Sequence, residues 1–208
     1  MYLYGLFHTA LGLVLITKAN LGMMPTQLPP YILNLATDLT FGTWIILMSL
    51  FYTLIQILLL RKAFQRIQLL QIVMSFCFGY SVDIWNVLLY DFALPGYFGQ
   101  MLKLLAGILL IASGITVYMG PKLINLPIEN LTLAIATKIP SGEFYRARLL
   151  LDGMLLILGV LFSFLFLGGL YGIREGTVLA AVLIGRCIPY ARRVVWPVLR
   201  KIGIPLEN

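Results

Sequence analysis

Six stretches of this chain run apolar for about the length of a bilayer crossing: Tyr2–Thr17, Thr43–Leu60, Leu69–Tyr90, Met101–Met119, Leu149–Leu167 and Thr177–Trp196. A helix rises about 1.5 Å per residue, so about 20 apolar residues cross a hydrocarbon core of about 30 Å, and the first run is at the short end of that range. The runs are continuous rather than alternating, which argues against the strands of a membrane barrel. Nor is there enough charge for a water-facing shell. Of 208 residues 61% are hydrophobic and 11% charged, with a mean hydropathy of +0.96, whereas a soluble domain is about one quarter charged. The expected fold is all-α: a polytopic membrane helix bundle of about six transmembrane helices, forming a single membrane domain over residues 1–208.

The net charge of +7 at pH 7 does not mark a nucleic-acid binder, because the basic residues sit at the ends of the apolar runs and form no continuous basic face. Cytoplasmic loops are enriched in Lys and Arg. Arg61, Lys62 and Arg66 crowd one short connection, and Arg192, Arg193, Arg200 and Lys201 crowd the C-terminal flank. Six crossings with both clusters inside require both termini in the cytoplasm. Arg146 and Arg148 then lie inside too, while Asp91 and the Arg174–Glu175 pair face out; Lys18, at the outer end of the first run, is the exception. Anionic headgroups are the expected partners of the C-terminal cations. Cys77 and Cys187 lie within apolar runs and have neither metal-ligand nor disulfide spacing. The start Met1-Tyr2-Leu3-Tyr4 lacks a basic lead-in and a cleavage site, so the first run is expected to be a retained helix.

The two halves repeat. A shift of 102 positions aligns Gly5 with Gly107, Ala10 with Ala112, Gly12 with Gly114, Leu21 with Leu123 and Pro25 with Pro127. A shift of 100 then aligns Leu33 with Leu133, Ala36 with Ala136, Thr37 with Thr137 and Gly42 with Gly142; at 110, Cys77 and Tyr80 meet Cys187 and Tyr190. Repeat 1 covers about residues 1–96 and repeat 2 about 97–208. Each contains three long runs and one proline-broken segment, Leu21–Leu39 or Leu123–Ile139, too apolar for a free loop. Broken helices at membrane depth are tolerated only where protein or a wet cavity satisfies their backbone. About 14 helical residues rise about 21 Å, short of the hydrocarbon thickness, so these segments are expected to be broken or re-entrant short helices. Three crossings per half make the repeat inverted, as in many secondary transporters; four would make it parallel.

The run Ile16-Thr17-Lys18-Ala19-Asn20-Leu21-Gly22-Met23-Met24-Pro25 resembles the glycine-and-proline signature of the YczE/YyaS/YitT family of bacterial membrane proteins. Phe41-Gly42-Thr43-Trp44 is similar to the opening of that family's next helix, and Phe78-Gly79-Tyr80-Ser81-Val82-Asp83 to its Asp-bearing third span. In the second half the likeness narrows to Leu126-Pro127-Ile128-Glu129-Asn130. The resemblance implies a polytopic, permease-like helical protein of the bacterial cytoplasmic membrane. Two positions depart from the pattern: Gln27 stands where an acid is frequent, and Leu126 where a glycine precedes the proline.

Candidate solute-binding residues follow from cost. An ionisable group in a span costs about 3 kcal/mol or more unless paired or wetted, which singles out Asp83, with Arg186 as its partner or as an anion-binding group. Pro25 and Pro127 open the broken segments, so Thr26, Gln27, Glu129 and Asn130 would lie at free helix N-termini, which attract anions; Glu129 would oppose an anion, so a cation or zwitterion is as plausible, and capping without a ligand explains the four equally well. Lys18 and Asn20, inside the first motif, complete the set. Asp152 beside Arg146 and Arg148 reads as a headgroup-level salt bridge, and His8 as a hydrogen-bonded core residue. Gly5, Gly12, Gly107 and Gly114, at seven-residue spacing, read as a close-packing face, and Trp44, Trp85 and Trp196 as interfacial residues. No phosphate loop, metal-ligand spacing or nucleophile–His–acid set occurs, His8 being the sole histidine, so neither an enzyme nor a metal or other cofactor is expected.

The expected function is a small secondary transporter or permease for a small polar solute or ion. Its site would lie at the midplane between inverted repeats, and rocking of one half against the other would give alternating access. The alternative is a non-transporting module, a substrate-binding or regulatory subunit of a larger membrane complex; lipid handling is a third reading. Expected partners are the bilayer, the solute and a membrane protein or second copy of the chain, with no nucleic acid.

Overall fold

Proline determines where these helices break, and glycine where they touch. The computed structural model describes residues 2–119, 125–139 and 143–201, with side chains as far as Pro197. Among the described residues there are eight α-helices and no strands: α1 (Tyr2–Ala19), α2 (Leu28–Ala36), α3 (Phe41–Leu60), α4 (Leu70–Leu88), α5 (Gly96–Met119), α6 (Pro127–Ala136), α7 (Phe144–Leu167) and α8 (Glu175–Lys201). Leu123 and Gly142, both matched in the repeat, and the side chains of Arg200 and Lys201 lie outside the described residues.

Among the described residues five helices, α1, α3, α4, α5 and α7, are long and apolar enough to cross a membrane. The sequence predicts six. The remaining run is α8, whose 27 residues are ample in length, but Arg186, Arg192 and Arg193 break its apolar stretch and it is not one of the five. The broken segments are short. Pro25 opens a single 3₁₀ turn, Pro25–Gln27, and Pro29 and Pro30 fall in the first turn of α2, where a missing N–H costs nothing. Pro127 begins α6 in the same way. With 9 and 10 residues, α2 and α6 rise only about 14–15 Å.

The chain divides into two compact units, each drawing helices from both halves of the repeat. One contains Met1–Met24, Tyr80–Leu123 and Gly172–Asn208; the other contains Pro25–Gly79 and Ile124–Tyr171.

In the first unit α1 packs against α5 and α5 against α8. The α1–α5 contact is backbone to backbone. A Cβ added at Gly12 would stand 2.7 Å from the Gly107 carbonyl oxygen, and one added at Gly107 would stand 2.7 Å from that of Gly12. Gly5 meets Gly114 in the same way, at 3.1 Å. The earlier glycine on α1 touches the later one on α5, so the two helices run antiparallel. Gly5 corresponds to Gly107 and Gly12 to Gly114 in the repeat, so each contact is the counterpart of the other. His8 is a hydrogen-bonded core residue as expected, its Nε2 3.1 Å from Ser113 Oγ on α5.

Beyond α1 the backbone turns through Asn20 (φ 54°) and Gly22 (φ 111°), where a Cβ on Gly22 would collide with Thr177 Oγ1. Two cations close this end: Lys103 Nζ donates to the Lys18 carbonyl at 2.7 Å, and Arg174 Nη1 to the Asn20 carbonyl at 2.9 Å. Both neutralise the negative end of the α1 dipole.

In the second unit α2 packs on α7 and α6 on α3, and α2–α3 and α6–α7 are also neighbours. These pairs too exchange under the repeat. The core is Leu33, Met48, Tyr52, Leu131, Leu151 and Leu155. Leu47, Phe51, Leu54 and Leu58 of α3 stand exposed, as do Leu150, Met154, Ile157, Leu161 and Leu165 of α7. Spacings of three and four place each set on one helix face. Such apolar faces suit lipid and would be a liability in water.

Candidate functional site: a polar cavity at the proline breaks

The first turns of α2 and α6 border one cavity of about 30 Å³ in the second unit. Thr26, Gln27 and Pro30 line it from one broken segment, and Leu126, Pro127 and Ile128 from the other. The wall is completed by Ile45, Met48, Ser49 and Tyr52 of α3 and Phe78 of α4. None of these side chains carries a formal charge. A water needs about 10–15 Å³ of such space, so the cavity takes one or two small polar groups.

Two buried polar atoms on the wall have no hydrogen-bond partner, Gln27 Oε1 and Tyr52 Oη. Tyr52 is 5% exposed, and leaving a buried polar group unsatisfied costs about 1–3 kcal/mol. The side chains, not the backbone, supply the polarity. Pro29, Pro30 and Pro127 have no N–H to offer, and the amides of Glu129 and Asn130 already donate to the Leu126 carbonyl at 3.1 and 3.2 Å. The free N–H groups expected from the sequence are therefore few, although the positive ends of two helix dipoles still border the space.

A chain of carboxamides, buried at Gln56, Gln71 and Asn130, adjoins the site. Asn125 Nδ2 donates to Asn130 Oδ1 (3.2 Å), Asn130 Nδ2 to Gln71 Oε1 (2.7 Å), Gln71 Nε2 to Gln56 Oε1 (2.7 Å) and Gln56 Nε2 to Gln68 Oε1 (3.4 Å). Gln56 lies one turn beyond Tyr52 on the same face of α3, and Asn130 one turn beyond Pro127 on α6. The chain ties α3, α4 and α6 together.

The structure thus brings together part of the predicted site. Thr26, Gln27 and Pro127 line the cavity; Pro25 opens the turn that carries the first two, and Glu129 and Asn130 follow in the first turn of α6. Lys18, Asn20, Asp83 and Arg186 belong to the other unit. There the Lys18 and Asn20 carbonyls are helix-end acceptors, and Asp83 is half-buried in α4. Arg186 is exposed and takes part in none of the ion pairs seen among the described residues, which join Arg146 to Glu143, Arg148 to Asp152 and Arg174 to Glu175. The Arg148–Asp152 pair, at 3.2 Å, is the salt bridge expected there. The sequence reading missed Ser49, Tyr52, Gln56, Gln71 and the 7% exposed Lys103. Gln56, Gln71 and Lys103 were visible as polar residues inside apolar runs; Tyr52 was not, since a tyrosine in a span is unremarkable until its helix face is known.

A family model described as a family of unknown function (DUF6198) matches residues 1–193. The uncharacterized protein YyaS of Bacillus subtilis (strain 168) is 27% identical over 166 residues, covering 78% of this chain and 81% of that protein. No solved structure matches.

Proposed function

The chain belongs to the DUF6198 family, and from that premise we propose that it is a small multi-pass permease, not an enzyme, which passes a small polar solute through a site at its two proline breaks. The observation that carries this reading is the cavity shared by the first turns of α2 and α6, where Gln27 Oε1 and Tyr52 Oη are left without partners. Buried polar atoms without partners in an apolar bundle are costly to maintain, and a passing solute is a reason to keep them.

The inverted arrangement of the halves is part of the proposal. Antiparallel contact between the repeat-equivalent helices α1 and α5 supports it. So does parity: if α2 does not cross, α1 and α5 are separated by an odd number of reversals and enter from opposite faces. A fully crossing α2 would make them parallel. With Arg61, Lys62 and Arg66 in the cytoplasm and α8 crossing as a sixth span despite its arginines, both termini are cytoplasmic and the membrane is the bacterial inner membrane.

Reconstitution tests the proposal. Proteoliposomes should take up at least one of a panel of small polar solutes faster than empty vesicles, and Gln27→Leu should slow that uptake. Permeabilities equal to those of protein-free vesicles for the whole panel would refute it.

A further inference from the structure

The proposed site is electrically neutral, and this narrows what it can hold. Its lining hydrogen-bonders are Thr26, Gln27, Ser49 and Tyr52, all uncharged. A bare ion placed among them would lose its hydration with no formal charge on the lining itself to replace it, a cost of several kcal/mol, Glu129 standing one residue beyond the lining. A cation would also face the positive ends of α2 and α6. An anion would have Glu129, the next residue along α6 after the lining Ile128, in the same helical turn. The orphaned atoms call for something else: Gln27 Oε1 accepts only, whereas a tyrosine hydroxyl both donates and accepts. A group that satisfies both carries an N–H or O–H together with an oxygen acceptor.

Resting on the permease reading, we infer that the solute is an uncharged hydroxyl or carboxamide compound, whose polar end occupies the cavity between Gln27 and Tyr52. The roughly 30 Å³ volume admits an end group of that size, and the apolar remainder of the wall, including Ile45, Met48 and Phe78, takes its carbon atoms.

The test uses the full chain. Glycerol and acetamide serve as neutral probes and chloride and potassium as ionic ones, with flux measured in proteoliposomes; labelled acetamide binding is measured on detergent-purified protein by equilibrium dialysis. Tyr52→Phe removes one hydroxyl and keeps the ring, so it should weaken acetamide binding about three- to tenfold, the worth of one hydrogen bond, and reduce neutral flux to match. Ser49→Ala, a smaller change on the same wall, is the second variant should Tyr52→Phe fold poorly. Neutral flux or binding that neither variant alters would overturn the assignment of the cavity. Chloride or potassium flux without neutral flux would overturn the solute class and leave the permease reading standing. Acetamide binding that depends on Tyr52, with no flux of any probe, would support the ligand assignment and end the permease reading. Neither binding nor flux would end both.

Discussion

Gln71 is fully buried, and both ends of its carboxamide are engaged, accepting from Asn130 and donating to Gln56. Replacing it with leucine, similar in volume, would leave Gln56 Oε1 and Asn130 Nδ2 facing an apolar side chain. Two orphaned polar atoms at about 1–3 kcal/mol each put the loss for Gln71→Leu at about 2–6 kcal/mol, read as a lower melting temperature in detergent. An unchanged melting temperature would mean that the amide chain does not hold α3, α4 and α6 together. At this scale the sequence is least transparent. Charge draws the eye to Asp83 and Arg186, yet the lining of the cavity is neutral. Thr26 and Gln27 were legible because they sit beside a proline break. Tyr52 was not, because its role depends on which face of α3 meets α2 and α6, and periodicity within one helix does not reveal its neighbours.

Elements were easier to read. Each helix end lies within a few residues of its apolar run, because the same long apolar stretches and prolines that mark the runs also limit the helices. The glycine spacing foretold a close contact without naming the partner, which proves to be the repeat-equivalent helix. That pairing makes a symmetric prediction. Gly107→Leu drives a side chain into the Gly12 carbonyl and Ile16, and Gly12→Leu drives one into the Gly107 carbonyl and Ile111. Overpacking of this kind costs about 1–3 kcal/mol or more, so both variants should melt lower by similar amounts. Gly153→Leu, where an added Cβ meets nothing within 4 Å, is the control and should melt like the parent. A large drop for one glycine of the pair and none for the other would contradict the reciprocal contact. For α8 the arginines matter more than its length, since three cations in one stretch raise the cost of lipid burial.

For the whole molecule the proposed topology turns on whether α6 crosses. The α3–α4 connection and the α7–α8 connection are equivalent in the repeat, with α4, α5 and α7 between them as long apolar helices. If α6 does not cross, the two connections lie on opposite sides. With Cys77 and Cys187 replaced by alanine, Lys62→Cys should react with a membrane-impermeant thiol reagent only from the cytoplasmic side, and Tyr171→Cys only from outside. Labelling of both from one side would mean that α6 crosses and that α3 and α7 are not inverted. The proposed inversion was the part least legible in the sequence, because the parity depends on two helices whose length falls between a turn and a span. Meanwhile the tight seam of α1 and α5 has a consequence for biogenesis. The surface that α1 needs is encoded roughly a hundred residues downstream, and at about 5–20 residues per second the ribosome takes roughly 5–20 s to deliver it. During that wait the glycine groove of α1 is lined by acyl chains or held by the insertion machinery, until α5 arrives to fill it.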